Sequence, residues 1–171
     1  MLLEDGKMVE VSETLNVSAS DFFDAIIESV VYDACQATGK NIRKSHLKKG
    51  FSYSKKIKNS FGKKEDSRVV IQEFEAPSIY KVKFEGSTGY DIMTYKIESL
   101  EDEKITVRYS EDFISEFTVE GKSSKMMEKL SNKRAQRRAK KLLKNIEAYI
   151  QNKQNTEDIQ EEVGIQNHLG F

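Results

Sequence analysis

The sequence predicts an α+β chain, an antiparallel sheet with its helices on one side, and three observations carry that expectation. Between Phe51 and Tyr109 apolar and polar residues alternate with period two in successive runs separated by short turns. A wide apolar stripe at helical spacing precedes these runs, from Phe22 to Ala34. A longer run at helical spacing follows them, from Ser123 or Ser124 to about Lys153. Helices before and after a meander must bury their stripes, and the apolar face of the sheet is the surface available.

Each element has a local reason. Residues 7 to 17, KMVEVSETLNV, alternate through Met8, Val11, Leu15 and Val17 and read as a strand. Ser18 then stands as N-cap, with Asp21 three residues on in a capping-box-like arrangement at the positive end of the coming helix. Phe22, Phe23, Ile26, Ile27, Val30, Val31 and Ala34 make the stripe, and Gly39 ends the helix. Residues 41 to 49, NIRKSHLKK, read as a short basic helix closed by Gly50, with Ile42 and His46 on one face. From Phe51 the period becomes two. Phe51, Tyr53 and Ile57 point one way; Arg68 to Ala76 is a dense strand stopped by Pro77. Tyr80, Val82 and Phe84, then Met93, Tyr95 and Ile97, then Ile105, Val107 and Tyr109 form three inward sets. Gly86 to Gly89 and Glu101 to Glu103 are the turns between them. The last helix carries Met127, Leu130 or Ser131, Ala135, Ala139, Leu142, Ile146 and Tyr149 or Ile150 on one face. Residues 154–171 turn to Gln, Asn and Glu and are expected to form a flexible acidic tail outside a domain of residues 1–153, with Ile159, Val163, Ile165, Leu169 and Phe171 left as a weak docking segment.

Composition narrows the function classes. The chain has 171 residues with 37% hydrophobic and 33% charged, enough for a core under a heavily ionised surface. No apolar run reaches the roughly 18 residues of a membrane span. The start, Met1-Leu2-Leu3-Glu4-Asp5, lacks the form of a secretory leader, and one cysteine builds no disulfide framework. A reducing cytoplasm is the expected location. Net charge is zero, against a uniformly basic nucleic-acid binder, yet the charge is segregated. Residues 40–64 hold ten Lys or Arg and no acid, and residues 122–144 hold ten more with Glu128 as the single acid. In the second block Lys133, Arg134, Arg137, Arg138, Lys141 and Lys144 avoid the apolar stripe, which predicts a solvated basic face. That face suits an acidic protein partner or weak, sequence-independent nucleic-acid binding at low salt. It has no interleaved aromatics for base stacking, Tyr149 being placed at the far end on the buried side.

Catalytic and metal chemistry find little support. No Cys/His spacing fits zinc, no phosphate-cradling glycine motif is present, and no cofactor is expected. Cys35 reads as a small core residue, since no nearby group would activate it. Glu111-Asp112 reads as a solvated pair at a strand end. The inward tyrosines are the unusual feature. Buried phenols want hydrogen-bond partners, so Tyr53, Tyr80, Tyr95 and Tyr109 either satisfy one another or face a cavity. Ser131, Ala135 and Ala139 on the facing helix either let it sit close or leave a hollow.

Two stretches bear a resemblance. LNVSASDFFDAI, Leu15 to Ile26, is similar to the first strand and capped first helix of the START/SRPBCC superfamily, which includes the birch-pollen-allergen-like proteins. VVIQEFEAPSIYKVKFEGSTGYDIMTYKIESLEDEKITVRYSEDF, Val69 to Phe113, resembles that superfamily's central meander with its acidic-Ala-Pro turn. Within the superfamily the chain looks most like a domain-of-unknown-function family of small cytoplasmic proteins from low-GC Gram-positive bacteria. The resemblance implies a helix-grip fold, six or seven antiparallel strands wrapped around the long C-terminal helix. It also implies binding of a small apolar ligand between sheet and helix, or of a partner protein, without a catalytic motif to carry over. The wall of that cavity is expected at Tyr53, Tyr95, Tyr109, Ala135 and Ala139, around a space of about 300 Å³ or more. The alternative is a nucleic-acid-associated protein using the blocks 40–64 and 122–144.

Overall fold

A computed structural model describes residues 7–58, 62–115 and 125–168. Strand β1 (Lys7–Leu15) leads into helix α1 (Ala19–Thr38), a 3-10 turn (Lys44–His46), and five strands in a row. These are β2 (Ser52–Lys58), β3 (Lys64–Glu75), β4 (Ile79–Glu85), β5 (Gly89–Glu101) and β6 (Lys104–Ser115), followed by helix α2 (Lys125–His168). Every paired neighbour is antiparallel, in the order β1-β6-β5-β4-β3-β2. This is the helix-grip arrangement, with β1 and β2 as the two edges of the six-stranded sheet. The lysines of β2 lie on one of those edges, where charge discourages further strand pairing.

Register shows how the alternation was spent. Tyr80 lies opposite Tyr95, Tyr95 opposite Tyr109, and Tyr109 opposite Val11, so one row of side chains crosses four strands. The next row runs Ile71, Val82, Met93, Glu111, Val9, and the next Tyr53, Val69, Phe84, Asp91, Phe113. Side chains two apart share a face, so these rows all belong to the concave side. Against it α1 buries Phe22, Phe23, Ile26, Ile27 and Ala34. Ser18 caps that helix by accepting from the Asp21 N–H at 3.1 Å, and Gly39, at φ 68°, closes it by donating to the Cys35 carbonyl at 2.9 Å. A left-handed residue there is costly for any side chain with a Cβ.

Helix α2 runs across β1 and α1. The β1–α1 junction is read by its side chains: the Asn16 N–H donates to Glu147 Oε1 at 2.6 Å, and Gln151 Nε2 donates to the Asn16 carbonyl at 3.2 Å. Lys140 pairs with Glu13 at 3.3 Å. Toward α1, Lys153 pairs with Glu28 at 3.0 Å and Gln154 Nε2 donates to Asp21 Oδ2 at 3.0 Å. Among the described residues the buried positions of α2 are Ala135, Ala139, Leu143, Glu147 and Ile150.

Several local expectations need correction. Leu143 replaces Leu142 as the fully buried leucine, Leu142 being half-buried. Tyr149 is exposed and donates to Glu28 Oε2 at 3.3 Å, while Ile150 takes the buried place. Leu130 is also exposed, Ser131 is half-buried, and the side chain of Met127 lies outside the described residues. The helix does not stop near Lys153 but continues to His168, because Gln, Asn and Glu are no helix breakers and no proline or glycine intervenes before Gly164. Residues 41–49 form only the short 3-10 turn, in which His46 Nδ1 accepts from the Arg43 N–H at 3.1 Å. Glu111 and Asp112 stand within β6 rather than in a loop.

Candidate functional site

Among the described residues an inward pocket lies between α1 and strands β2 to β5 and measures about 180 Å³. Helix α1 contributes Ile26, Ser29, Val30 and Asp33 from one side, and the sheet supplies Tyr53, Lys55, Val69, Tyr80, Val82, Phe84, Met93 and Tyr95. Most of this wall is the concave face described above. Polar groups enter it at two depths.

At the mouth, Tyr53 donates its hydroxyl to Asp33 Oδ2 at 2.5 Å, and Lys55 Nζ donates to the same oxygen at 2.8 Å. The Lys55 ammonium also lies 5.5 Å from the centroid of the Phe84 ring. Ser29 is already occupied, donating to the Ile26 carbonyl at 2.8 Å. Deeper, Tyr80 and Tyr95 are 3% and 6% exposed, with ring centroids 6.3 Å apart. Neither hydroxyl has a hydrogen-bond partner among the described residues, whereas Tyr53 is held by Asp33 and Tyr109 by Glu111. Neither the Tyr80 nor the Tyr95 oxygen is among the enclosed polar atoms without a partner in the described residues, which are Ser67 Oγ and Asn132 Oδ1, so both are reached from the pocket that their rings line.

Burial holds all four phenols well above the usual tyrosine range. Nearby negative charge adds to this: Asp33 at Tyr53 and Tyr80, and Glu111 at Tyr95 and Tyr109. The four therefore stay neutral hydroxyls through the physiological range. Asp91 is likewise pushed above the ordinary carboxylate range, first by burial and then by Glu111.

Of the five expected wall residues, Tyr53 and Tyr95 meet in this pocket. Tyr109, Ala135 and Ala139 are buried but are not part of its wall, and Tyr80 takes the place given to Tyr109. Tyr109 sits one strand further along and spends its hydroxyl on Glu111, two residues on and on the same face. Ala135 and Ala139 lie on the buried face of α2, which packs on β1. The pocket is also smaller than the expected 300 Å³ or more, since the bulky sheet residues fill much of the concave face. Asp33 and Lys55 escaped the sequence reading, yet each leaves a signal. Asp33 is an acid following Ile26 and Val30 on the apolar stripe, and Lys55 is a cation between Tyr53 and Ile57 on the inward face.

The basic residues lie elsewhere. Lys133, Arg134, Arg137, Arg138, Lys141 and Lys144 are all exposed on α2. Arg134 and Arg138, with Leu130 and Ser131, border a groove of about 400 Å³ along its flank. Lys144 is engaged by the Thr14 carbonyl and Glu147 at 3.4 and 3.1 Å. The block of residues 40–64 is divided: Lys55, Lys56 and Lys58 stand on β2, at the edge of the sheet opposite the β1 over which α2 lies, while Lys44 pairs at 3.4 Å with Glu28, which also holds Lys153 of α2. Five strand spacings separate those edges, roughly 24 Å. Among the described residues no helix is long and apolar enough to cross a membrane.

The family model described as a domain of unknown function, DUF3284, matches residues 9–132. Among solved structures, a protein of unknown function from Staphylococcus aureus superposes with a TM-score of 0.60 at 12% identity, covering 90% of this chain and 98% of its own. Ara h 8.0201 gives 0.56 at 12% identity over 86% of this chain and 99% of its own. A START superfamily protein from Mycobacterium smegmatis gives 0.51 at 13% identity over 83% and 98%. At these identities the likeness is one of fold, the START-like helix grip. No curated protein sequence matches the chain.

Proposed function

The chain belongs to the domain-of-unknown-function family DUF3284, and from that membership and the pocket geometry we propose that it is a non-catalytic binding protein for a small, largely apolar molecule. The observation that carries this reading is the pair of hydroxyls on the nearly buried Tyr80 and Tyr95, without hydrogen-bond partners among the described residues and bordering a pocket whose remaining wall is mostly apolar. A ligand with one polar atom would satisfy them and bury its body against Ile26, Val69, Val82 and Met93. Size limits the ligand. A cavity of about 150 Å³ takes benzene, so about 180 Å³ suits one ring with a short substituent. The non-catalytic part rests on the polar groups themselves: Asp33 is already tied to Tyr53 and Lys55, and the phenols titrate far from neutrality.

Native mass spectrometry of the purified protein, followed by calorimetric titration with benzyl alcohol, tests the proposal. A co-purified small molecule or a saturable one-site titration supports it; a folded protein with neither overturns it. Tyr80→Phe and Tyr95→Phe remove the hydroxyls and keep the rings. Each is expected to change unfolding free energy by less than about 1 kcal/mol, because no protein hydrogen bond is lost, while weakening benzyl alcohol binding about three- to tenfold. Urea titration beside calorimetry separates the two effects.

The exposed cations of α2 favour a second reading, in which that face meets polyanions. Lys129, Lys133, Arg134, Arg137, Arg138 and Lys141 are exposed with no ion-pair partner among the described residues. The ridge is short, and Lys55, Lys56 and Lys58 of β2 stand at the other edge of the sheet, which argues for low affinity. Binding to RNA or DNA is expected to be weak, independent of sequence, and lost by about 200 mM salt through counterion release. Sequence-selective binding that survives that salt in a fluorescence-anisotropy series would place the nucleic-acid function first.

A further inference from the structure

The charges around the pocket carry the ligand's chemistry further than its size does. At the mouth Lys55 and Asp33 cancel each other through their 2.8 Å ion pair. Beyond the inner wall stands Glu111, opposite Met93, which lines the pocket, and close enough to Tyr95 that its charge bears on that phenol. Among the described residues that line the pocket or act on its phenols, the ionised groups are Asp33, Lys55 and Glu111, a negative balance. Asp91, also on the concave face, holds its proton more tightly than usual because of burial and Glu111, and adds to the negative side when it ionises. Tyr53, Tyr80, Phe84 and Tyr95 line the pocket, and the faces of such rings attract cations while their edges do not. The protein supplies its own instance at the mouth, where the Lys55 ammonium rests on the Phe84 ring and the Asp33 carboxylate together. The two free phenol oxygens inside each keep lone pairs able to accept an N–H.

We propose that the pocket between α1 and β2–β5 selects a small organic cation, an amine carried on a single ring, over neutral and anionic molecules of the same shape. This rests on the reading of that pocket as a ligand site. The ammonium lies against the Tyr80 and Tyr95 rings and hydroxyls with Glu111 behind them, and the ring of the ligand packs toward Val69 and Val82. An anion in the same place would meet the field of Glu111, and Lys55, the cation among the described lining residues, is committed to Asp33.

Three probes of one shape and different charge test this near neutral pH: benzylamine, benzyl alcohol and benzoate, each titrated by calorimetry into the full chain. Benzylamine is expected to bind about tenfold tighter than benzyl alcohol, as a desolvated cation–π contact provides, and benzoate weakest. Glu111→Gln keeps an oxygen for the Tyr109 hydroxyl and removes the charge, so it should narrow the amine preference. Asp33→Asn frees the Lys55 ammonium and should move the order toward benzoate. If benzyl alcohol binds as tightly as benzylamine, or benzoate binds best to the unaltered protein, the cation preference is wrong and the pocket remains a ligand site. If none of the three binds, both readings fall. An amine preference untouched by either variant would show that these carboxylates do not set it, and would also overturn the proposal.

Discussion

Ala139→Glu is expected to lower the unfolding free energy by about 3 kcal/mol or more, since it places a carboxylate where no partner waits. Ala139 is 4% exposed on α2, one turn from Ala135 and one from Leu143, and all three are buried. The position has room for a methyl group because the helix sits close at this point. A glutamate there must either bury its charge, protonate, or force the helix away from β1 and α1. Arg137 is two residues earlier on the opposite, exposed side. Arg137→Glu is expected to stay within about 0.5 kcal/mol, as surface substitutions usually do. Urea titrations of the two variants decide the matter, and equal losses would mean that the helix face is assigned wrongly.

Glu147→Ala should cost about 2 to 3 kcal/mol, the range for a hydrogen bond to a charged group plus a stranded donor. Glu147 is 8% exposed, yet it is an acid in the middle of the buried stripe. Its Oε1 accepts the Asn16 N–H at 2.6 Å and its Oε2 accepts from Lys144 Nζ at 3.1 Å. Asn16 belongs to the short link between β1 and the N-cap of α1, so this one carboxylate ties three elements together. Alanine leaves the Asn16 N–H facing a packed helix with nothing to accept it. Glu147→Gln retains an oxygen and should lose less, about 1 kcal/mol, in the same denaturation experiment. Hydrogen exchange offers an independent check: the Asn16 amide should exchange faster in Glu147→Ala. An alanine variant as stable as the parent would remove Glu147 from the docking of α2.

Much of this architecture follows from the order of residues alone. Alternation sets which side chains share a face, so Tyr80, Val82, Met93, Tyr95, Val107 and Tyr109 were legible as one concave surface before any strand was paired. Capping chemistry set the start of α1 at Ser18 and its end at Gly39, because both act through the local backbone. Turn residues separated β4, β5 and β6 for the same reason. Helical periodicity, by contrast, locates a stripe only to within about one residue, as adjacent positions differ by about 100°. Leu142 and Leu143, or Tyr149 and Ile150, are equally apolar neighbours, and only the placement of α2 over β1 and α1 chose Leu143 and Ile150 for burial. The site depended on tertiary structure still more. Alternation says that a tyrosine points inward, not what lies above it. The order β1-β6-β5-β4-β3-β2 puts β2 to β5 beneath α1, so Tyr53, Tyr80 and Tyr95 meet Asp33 there while Tyr109, a strand further on, meets Glu111. The same order sends the lysines of β2 to the edge opposite the one that α2 covers. Faces and caps are local properties of a chain and can be read along it; which faces meet is a long-range property, decided when the first strand pairs with the last.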